Sequence, residues 1–151
     1  MQMPEMTGGT KRKSEAGFTL IELIAVLAIL SILMAVAVPS TLGYIKSARR
    51  VAAYTDAQIT ADAVQQYLDE KREENGKLTA GQIHKLMELE LNDPDNILSE
   101  YMTAGQKDAM IVSADVDMKT GQLKRLIYQD KWVKVRLTIE PDGTRKVEEY
   151  E

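Results

Sequence analysis

The chain has 151 residues, enough for one domain with an appendage and too few for a large multidomain enzyme. Its 19 basic and 23 acidic side chains give a formal charge of −4, so the composition lacks the basic footprint of a general nucleic-acid binder. The absence of cysteine excludes a disulfide framework, a thiolate metal site and a cysteine nucleophile.

The first predicted element is an apolar helix over residues 18–38. Eighteen of these 21 residues are apolar. As a helix they would span about 31 Å, which is close to the hydrocarbon thickness of a bilayer. Lys11, Arg12 and Lys13 precede the run, and positive residues beside a span favour the cytoplasmic side. The pattern therefore predicts a single-pass membrane helix with its N-terminus in the cytoplasm and the rest of the chain outside.

A cleaved secretory signal peptide is the alternative for this segment. Ala35-Val36-Ala37 fits an A-x-A cleavage pattern that follows a basic and an apolar region. The apolar region from Phe18 to Met34 is about 17 residues long, however, which exceeds the usual length of about 7–15. An acidic residue also lies near its start. These features favour a retained membrane helix.

Glu22 is the acidic residue within the apolar run. A carboxylate in the apolar part of a span costs on the order of 2.5–3.5 kcal/mol, so such residues usually have a partner or a function. Two explanations are open from the sequence. Either Glu22 lies near the membrane edge and reaches the interface, or another chain supplies a cation, such as an α-amino group that cleavage creates nearby.

The segment Gly17-Phe18-Thr19-Leu20-Ile21-Glu22-Leu23 resembles the N-terminal motif of type IV pilins and of the pseudopilins of type II secretion and competence systems. The resemblance extends from Lys11 to about Ile45. Ser31 stands where many members have Gly, and the paired cysteines of many pilins are missing. The resemblance therefore leaves the subfamily open among pilus subunits, secretion pseudopilins and DNA-uptake pseudopilins.

The resemblance implies specific roles for four residues. A prepilin peptidase is expected to cut between Gly17 and Phe18 and to methylate the new amine of Phe18. Glu22 is expected to guide assembly by pairing with the N-terminal amine of a neighbouring subunit. Pro39 occupies a position where many family members have a helix-kinking proline.

An amphipathic continuation of the helix is predicted over residues 40–75. Small or apolar residues recur at spacings of three, four and seven from Ile45 to Leu68, which indicates one broad helical face. Asn75-Gly76 is a common pairing at a helix C-terminus. One near-continuous helix over residues 18–75 suits a subunit whose membrane part packs with copies of itself and whose outer part packs under a head domain.

The head domain is predicted to occupy residues 76–151 and to begin with a short helix. Thr79-Ala80-Gly81-Gln82 reads as a capping box, and the apolar pattern continues the helix through Leu91. Residues 92–96 favour a turn because Pro and Asx residues initiate one. Residues 97–107 are interpreted as a loop with some helix.

The last third of the chain alternates apolar and polar residues with a period of two, which is typical of strands. The predicted strands cover residues 110–116, 123–129, 133–139 and 144–150, with turns at 119–121 and 141–143. Short connections predict an antiparallel meander of three or four strands. Its apolar face is expected to cover the helix around residues 52–68, giving a two-layer α+β, pilin-like fold.

The head offers few candidates for chemistry. The single histidine, His84, is interpreted as a surface or packing residue, since one His cannot build a metal site alone. The carboxylate-rich turns are interpreted as solvated turns, with a calcium site as the alternative. Trp132 and Tyr150 are interpreted as core or edge residues, with an exposed adhesive role as the alternative. A local nucleic-acid patch is the minority option for the basic residues Lys124, Arg125, Lys131, Lys134 and Arg136.

The sequence thus predicts a prepilin-like structural subunit, not an enzyme, without a cofactor. Its expected segments are a leader (1–17), a transmembrane and assembly helix (18–39), an amphipathic continuation (40–75) and a head (76–151). The expected partners are copies of itself and related pilins, a prepilin peptidase, the membrane and an assembly platform, with nucleic acid disfavoured. The chain would begin in the cell (inner) membrane and end in a surface filament. The alternative is a single-pass, membrane-anchored extracellular binding protein that does not polymerise.

Overall fold

The computed structural model of the chain describes residues 17–103 and 108–150, which divide between two compact units, Met1–Leu42 and Gly43–Glu151. The predicted leader, residues 1–17, lies outside the described part except for its last residue. The described elements are α1 (Leu20–Asn75), α2 (Ala80–His84), β1 (Leu89–Glu90), β2 (Met110–Val116), β3 (Leu123–Gln129), β4 (Lys134–Ile139) and β5 (Arg145–Glu149).

The first unit contains the apolar part of α1. Every described residue from Gly17 to Val38 is exposed in the single chain. Within the described residues, α1 is the helix whose length and hydropathy suffice to cross a membrane. Transfer of these Leu, Ile and Val side chains out of water is favourable. An environment of lipid or of other chains would therefore stabilise this unit.

In the second unit, α1 ends where the sequence predicts. The amide nitrogen Nδ2 of Asn75 donates a hydrogen bond of 2.9 Å to the carbonyl of Lys71 in the last turn. Gly76 then adopts φ +70°, a left-handed conformation that commonly terminates helices. The helix begins at Leu20, two residues after the predicted start.

The predicted capping box of α2 is confirmed, but the helix is shorter than predicted. The Thr79 hydroxyl accepts from the Gln82 amide, and the Gln82 side chain accepts from the Thr79 amide. The helix ends at His84, whereas the sequence predicts helix through Leu91. Glu88 has φ 54°, which a right-handed helix does not accommodate, and β1 begins at the next residue. Leu89 therefore pairs with Ile111 in the sheet instead of continuing a helix.

The sheet has five antiparallel strands in the order β1-β2-β3-β4-β5. The meander of the last four strands is confirmed. The predicted strand number of three or four is too small because β1, with only two residues, is too short to show a period of two. Gly121 and Gly143 supply the positive φ angles of the two turns, 77° and 85°.

One face of α1 and one face of the sheet form the core of the second unit. Ala53, Ala57 and Ala61 repeat every fourth residue and are fully buried. Such small side chains allow close packing of a helix on a sheet. The larger side chains that complete this cluster include Val64 and Leu68 from α1 and Ile111, Leu126, Tyr128, Val135 and Leu137 from the sheet. The α+β, pilin-like arrangement predicted from the sequence is confirmed.

Gln65 links α1 to the loop between β2 and β3. Its Oε1 accepts a hydrogen bond of 2.9 Å from the Leu123 amide, and its Nε2 donates at 3.1 Å to the Gly121 carbonyl. Arg72, two turns further along α1, donates to the Thr120 carbonyl. A Cβ atom at Gly121 would lie 3.1 Å from Cδ of Arg72, so a larger residue would require the Arg72 side chain to shift, and the positive φ of this position favours glycine.

Candidate functional site

Gly17 and Phe18 lie before the first turn of α1 without helix or strand structure. Phe18 is 91% exposed. A Cβ atom placed on Gly17 would meet nothing within 4 Å, and its backbone does not adopt a positive φ. The described residues therefore impose no steric requirement for glycine at this position. A requirement for a small residue here would come from another molecule that binds the segment.

Thr19 and Glu22 form the N-terminal cap of α1. The Thr19 amide and the Thr19 hydroxyl both donate hydrogen bonds of 2.8 Å to Oε2 of Glu22. The Glu22 amide donates in turn to the Thr19 hydroxyl at 3.3 Å. This reciprocal pattern is a capping box, which satisfies amide groups that a helix N-terminus otherwise leaves unpaired.

The capping role of Glu22 was missed in the sequence interpretation, which considered only the membrane edge or a cation from another chain. The T-x-x-E spacing from Thr19 to Glu22 is the signal that identifies it, the same pattern that predicts the cap of α2. Within the described residues, the hydrogen bonds to this carboxylate use Oε2. Its Oε1 atom has no hydrogen-bond partner among the described residues.

Pro39 lies within α1, which continues through this position to Asn75. The continuous helix agrees with the predicted continuation beyond the apolar run. The kink expected at Pro39 from the resemblance stays a prediction.

In the carboxylate-rich turns of the head, aspartate side chains accept hydrogen bonds from backbone amides of the same turn. Oδ1 of Asp93 accepts from the Asp95 amide at 2.9 Å, while Oδ1 of Asp117 accepts from the amides of Lys119 and Thr120. Lys124 pairs with the other Asp117 oxygen at 2.9 Å. The Lys124 hydrogen bond and the two amides lower the pKa of Asp117 to about 2. Across residues 17–103 and 108–150, no group of three or more His, Asp or Glu side chains is placed to hold a metal ion.

Trp132, interpreted from the sequence as a core or edge residue, lies exposed in the turn between β3 and β4, so a core position is wrong. Oδ1 of the buried Asp130 accepts hydrogen bonds from the amides of Trp132 and Val133 at 2.6 and 2.7 Å, which fixes the turn. The indole is 58% exposed. The Arg49 guanidinium lies over it, 3.8 Å from the ring centroid, in a cation–π contact.

A second cation–aromatic cluster lies at the neighbouring end of β5. The Tyr150 amide donates to the Lys134 carbonyl at 2.8 Å, and the Arg136 guanidinium lies 4.2 Å from the Tyr150 ring centroid. Tyr150 is half-buried at this sheet edge, as the edge interpretation expects. We use the name basic aromatic face for the residues of these two clusters: Arg49, Lys131, Trp132, Lys134, Arg136 and Tyr150.

The basic residues considered for nucleic acid do not form one patch. Lys124 lies near the start of β3, whereas Lys131 follows its end, a separation of about 23 Å along an extended strand. Lys124 is also paired with Asp117. The structure instead places Arg49 from α1 beside Trp132 and its neighbour Lys131. His84 is exposed at the end of α2.

The comparisons with known proteins place a family signature on the N-terminal segment. The family model described as the prokaryotic N-terminal methylation motif matches residues 12–38. This motif is the prepilin-type signature of type IV pilins and pseudopilins. It includes Gly17, Phe18 and Glu22 and ends one residue before Pro39. No curated protein and no solved structure matches the chain.

Proposed function

We propose that this chain, whose prepilin-type signature indicates a structural subunit, is the precursor of a subunit of a type IV pilus or pseudopilus. A prepilin peptidase removes the leader 1–17 by cutting after Gly17 and methylates the amine of Phe18. The mature chain then has 151 − 17 = 134 residues. The observation that carries the proposal is the match of the methylation motif to residues 12–38.

The local structure at Gly17 supports cleavage there. A peptidase needs its scissile bond in accessible, non-helical chain, and Gly17 and Phe18 are exposed and precede the helix. Because none of the described residues requires glycine at this position, the residue fits the steric requirement of an enzyme site. Basic side chains of the leader, Lys11, Arg12 and Lys13, hold this end in the cytoplasm by the positive-inside rule.

Polymerisation uses the apolar helix, which the single chain leaves exposed. In the membrane, lipid covers these side chains. On assembly, helices of neighbouring subunits replace the lipid. The new Phe18 amine of one subunit pairs with the Oε1 atom of Glu22 in another. The capping box leaves that atom without a described partner, so the carboxylate can cap its own helix and bind the amine together.

The test is intact-mass and N-terminal peptide mass spectrometry on the chain from its native membranes and from sheared surface material. The proposal expects an N-methylated Phe18 at the start of the mature form, in membranes and in filaments. A start at Val38 would identify a secreted domain. An uncut chain would favour the membrane-anchored binding protein. Either result would contradict the proposal.

A further inference from the structure

The basic aromatic face contains cations that form no ion pair within the described residues. Arg136 pairs with Glu148 at 3.2 Å, and the adjacent Arg50 pairs with Glu149 at 2.9 Å. Among residues 17–103 and 108–150, no ion pair involves Arg49, Lys131 or Lys134. Three unpaired cations therefore surround Trp132 and Tyr150 on a chain whose formal charge is −4.

The turn is built so that it presents the indole. The buried Asp130 carboxylate fixes the backbone of Trp132, and Arg49 covers one side of the ring. Lys131 approaches the same ring at 5.1 Å from its centroid. An exposed indole that is fixed in place and flanked by cations can insert its apolar part into an interface while the cations meet anions.

The sequence position of this face identifies its partner. Arg49 follows the last residue of the apolar run, Val38, by eleven residues within α1. Leu42, Tyr44 and Ile45, in the intervening turns, are exposed. Trp and Tyr are enriched where membranes meet water, and nearby Lys and Arg attract anionic lipids.

We propose that the basic aromatic face binds the anionic phospholipid headgroups of the membrane that holds the N-terminal helix. The inference rests on the proposed function because it requires an inserted helix. Arg49, Lys131 and Lys134 bind headgroup phosphates, and the Trp132 indole lies at the headgroup level. The contact holds the head against the membrane before assembly, and withdrawal of the subunit into a filament breaks it.

Trp132 is the only tryptophan in the chain, so its fluorescence reports on this face alone. The full chain is reconstituted into vesicles of phosphatidylcholine alone, or of phosphatidylcholine mixed equally with phosphatidylglycerol. Acrylamide is then added, and the quenching of Trp132 fluorescence is measured. We expect a roughly twofold lower quenching constant in the anionic vesicles, because the headgroup region shields an interfacial indole. Salt at about 1 M, where the Debye length is about 3 Å, should remove the difference.

Two double variants test whether binding depends on the cations of this face or on the net charge of the chain. Lys131→Gln with Lys134→Gln removes two cations from the face and leaves the Arg49–Trp132 contact in place. Lys77→Gln with Lys119→Gln removes two exposed cations elsewhere in the head. The first pair should lower the ratio of bound to unbound head on the order of tenfold or more, and the second should leave it unchanged. Equal losses from both pairs would contradict a specific face.

Flotation of the vesicles measures insertion separately. A chain that floats with both vesicle types but shows equal quenching in them overturns this inference and leaves the proposed function standing. A chain that floats with neither contradicts both. Inorganic phosphate that shields Trp132 as well as the anionic vesicles do would show a site for free phosphate. A single-stranded oligonucleotide that does so would show a nucleic-acid face. Either result overturns the assignment to lipid.

Discussion

The two units of the chain differ in the burial of their apolar side chains. In the first unit, Leu27 is 54% exposed and lies within the apolar run of residues 18–38. In the second, Leu126 is fully buried between β3 and α1. Both are leucines in regular structure, yet only Leu126 obtains its burial from its own chain. The head has a core of its own, whereas the apolar side chains of the first unit are not buried by the described chain.

The same division separates the polar residues of the two units. Gln65 and Asp130 in the head are committed to backbone groups of their own fold. Glu22, in the first unit, caps its helix with Oε2, and within the described residues no bond to its Oε1 is present. A Cβ atom at Gly17 would meet nothing within 4 Å in the described part of the chain. Substitutions in the first unit should consequently affect processing and assembly, and those in the second should affect folding.

The largest expected effect is the loss of processing in Gly17→Leu. A side chain at this position meets nothing in the folded chain, so the head should fold normally while the peptidase no longer accepts the segment. Immunoblotting and mass spectrometry of membranes should detect only the uncut precursor. Gly43→Leu is the matched control, since Gly43 also has open space around it, and it should be cut normally. A shortened Gly17→Leu product would place the cut elsewhere.

Leu126→Ala should cost the head about 2–5 kcal/mol of its free energy of unfolding, because a cavity remains where a buried leucine is removed. Leu27→Ala should change that free energy by less than about 0.5 kcal/mol, since the residue makes no part of the head core. Urea unfolding of the full chain in non-ionic detergent, followed by Trp132 fluorescence, measures both. Equal losses would show that the two units fold as one and would contradict the division.

Glu22→Gln separates the capping role of Glu22 from the role of its charge. Glutamine at the third helical position completes a capping box, as Gln82 does with Thr79 in α2. The variant should therefore keep the first turn of α1 and membrane insertion. Loss of the charged pair with the Phe18 amine should still reduce filament yield on the order of tenfold. The yield is measured on sheared surface material relative to total subunit.

Glu22→Ala is the companion variant, since it removes the cap and the charge together. It should insert into the membrane and assemble no better than Glu22→Gln. Normal filament yield from Glu22→Gln with reduced yield from Glu22→Ala would show that capping is the function of this residue. The proposed pairing with an amine would then be wrong.

Most of the fold could be predicted because its signals are local and repeated. The apolar run, the helical period up to Leu68 and the alternation in the last four strands each extend over several turns or residue pairs. β1 could not be predicted, since two residues have no measurable period and their partners in β2 lie 20 and 22 residues further along the chain. The helical period from Ile83 to Leu91 was misleading, because packing in the head core also explains the apolar residues Ile83, Leu86 and Leu91.

The position of the candidate site was predictable from the sequence, but the roles of its side chains were predicted only in part. The motif from Gly17 to Leu23 identifies the segment, and the cap formed by Thr19 is visible in its spacing. The exposed position of Trp132 was not predictable. A tryptophan in an apolar-polar alternation fits a strand as well as a turn, and the partners that fix it, Asp130 and Arg49, come from the turn itself and from a distant helix.

The smallest expected effect tests how the second unit depends on its own charges. The pKa of Asp117 is lowered to about 2, so its ionised form stabilises the fold above pH about 4, and this contribution is lost as the pH falls through about 2. Asp117→Asn should weaken the Lys124 contact and reduce the acid loss of thermal stability between these values. Because the pair is partly exposed, the change should be slight. Lys119→Gln, in the same turn, should leave the acid profile unchanged. Thermal midpoints of the full chain from Trp132 fluorescence at pH 2–5 give the comparison, and an Asp117→Asn profile that matches the parent would contradict it.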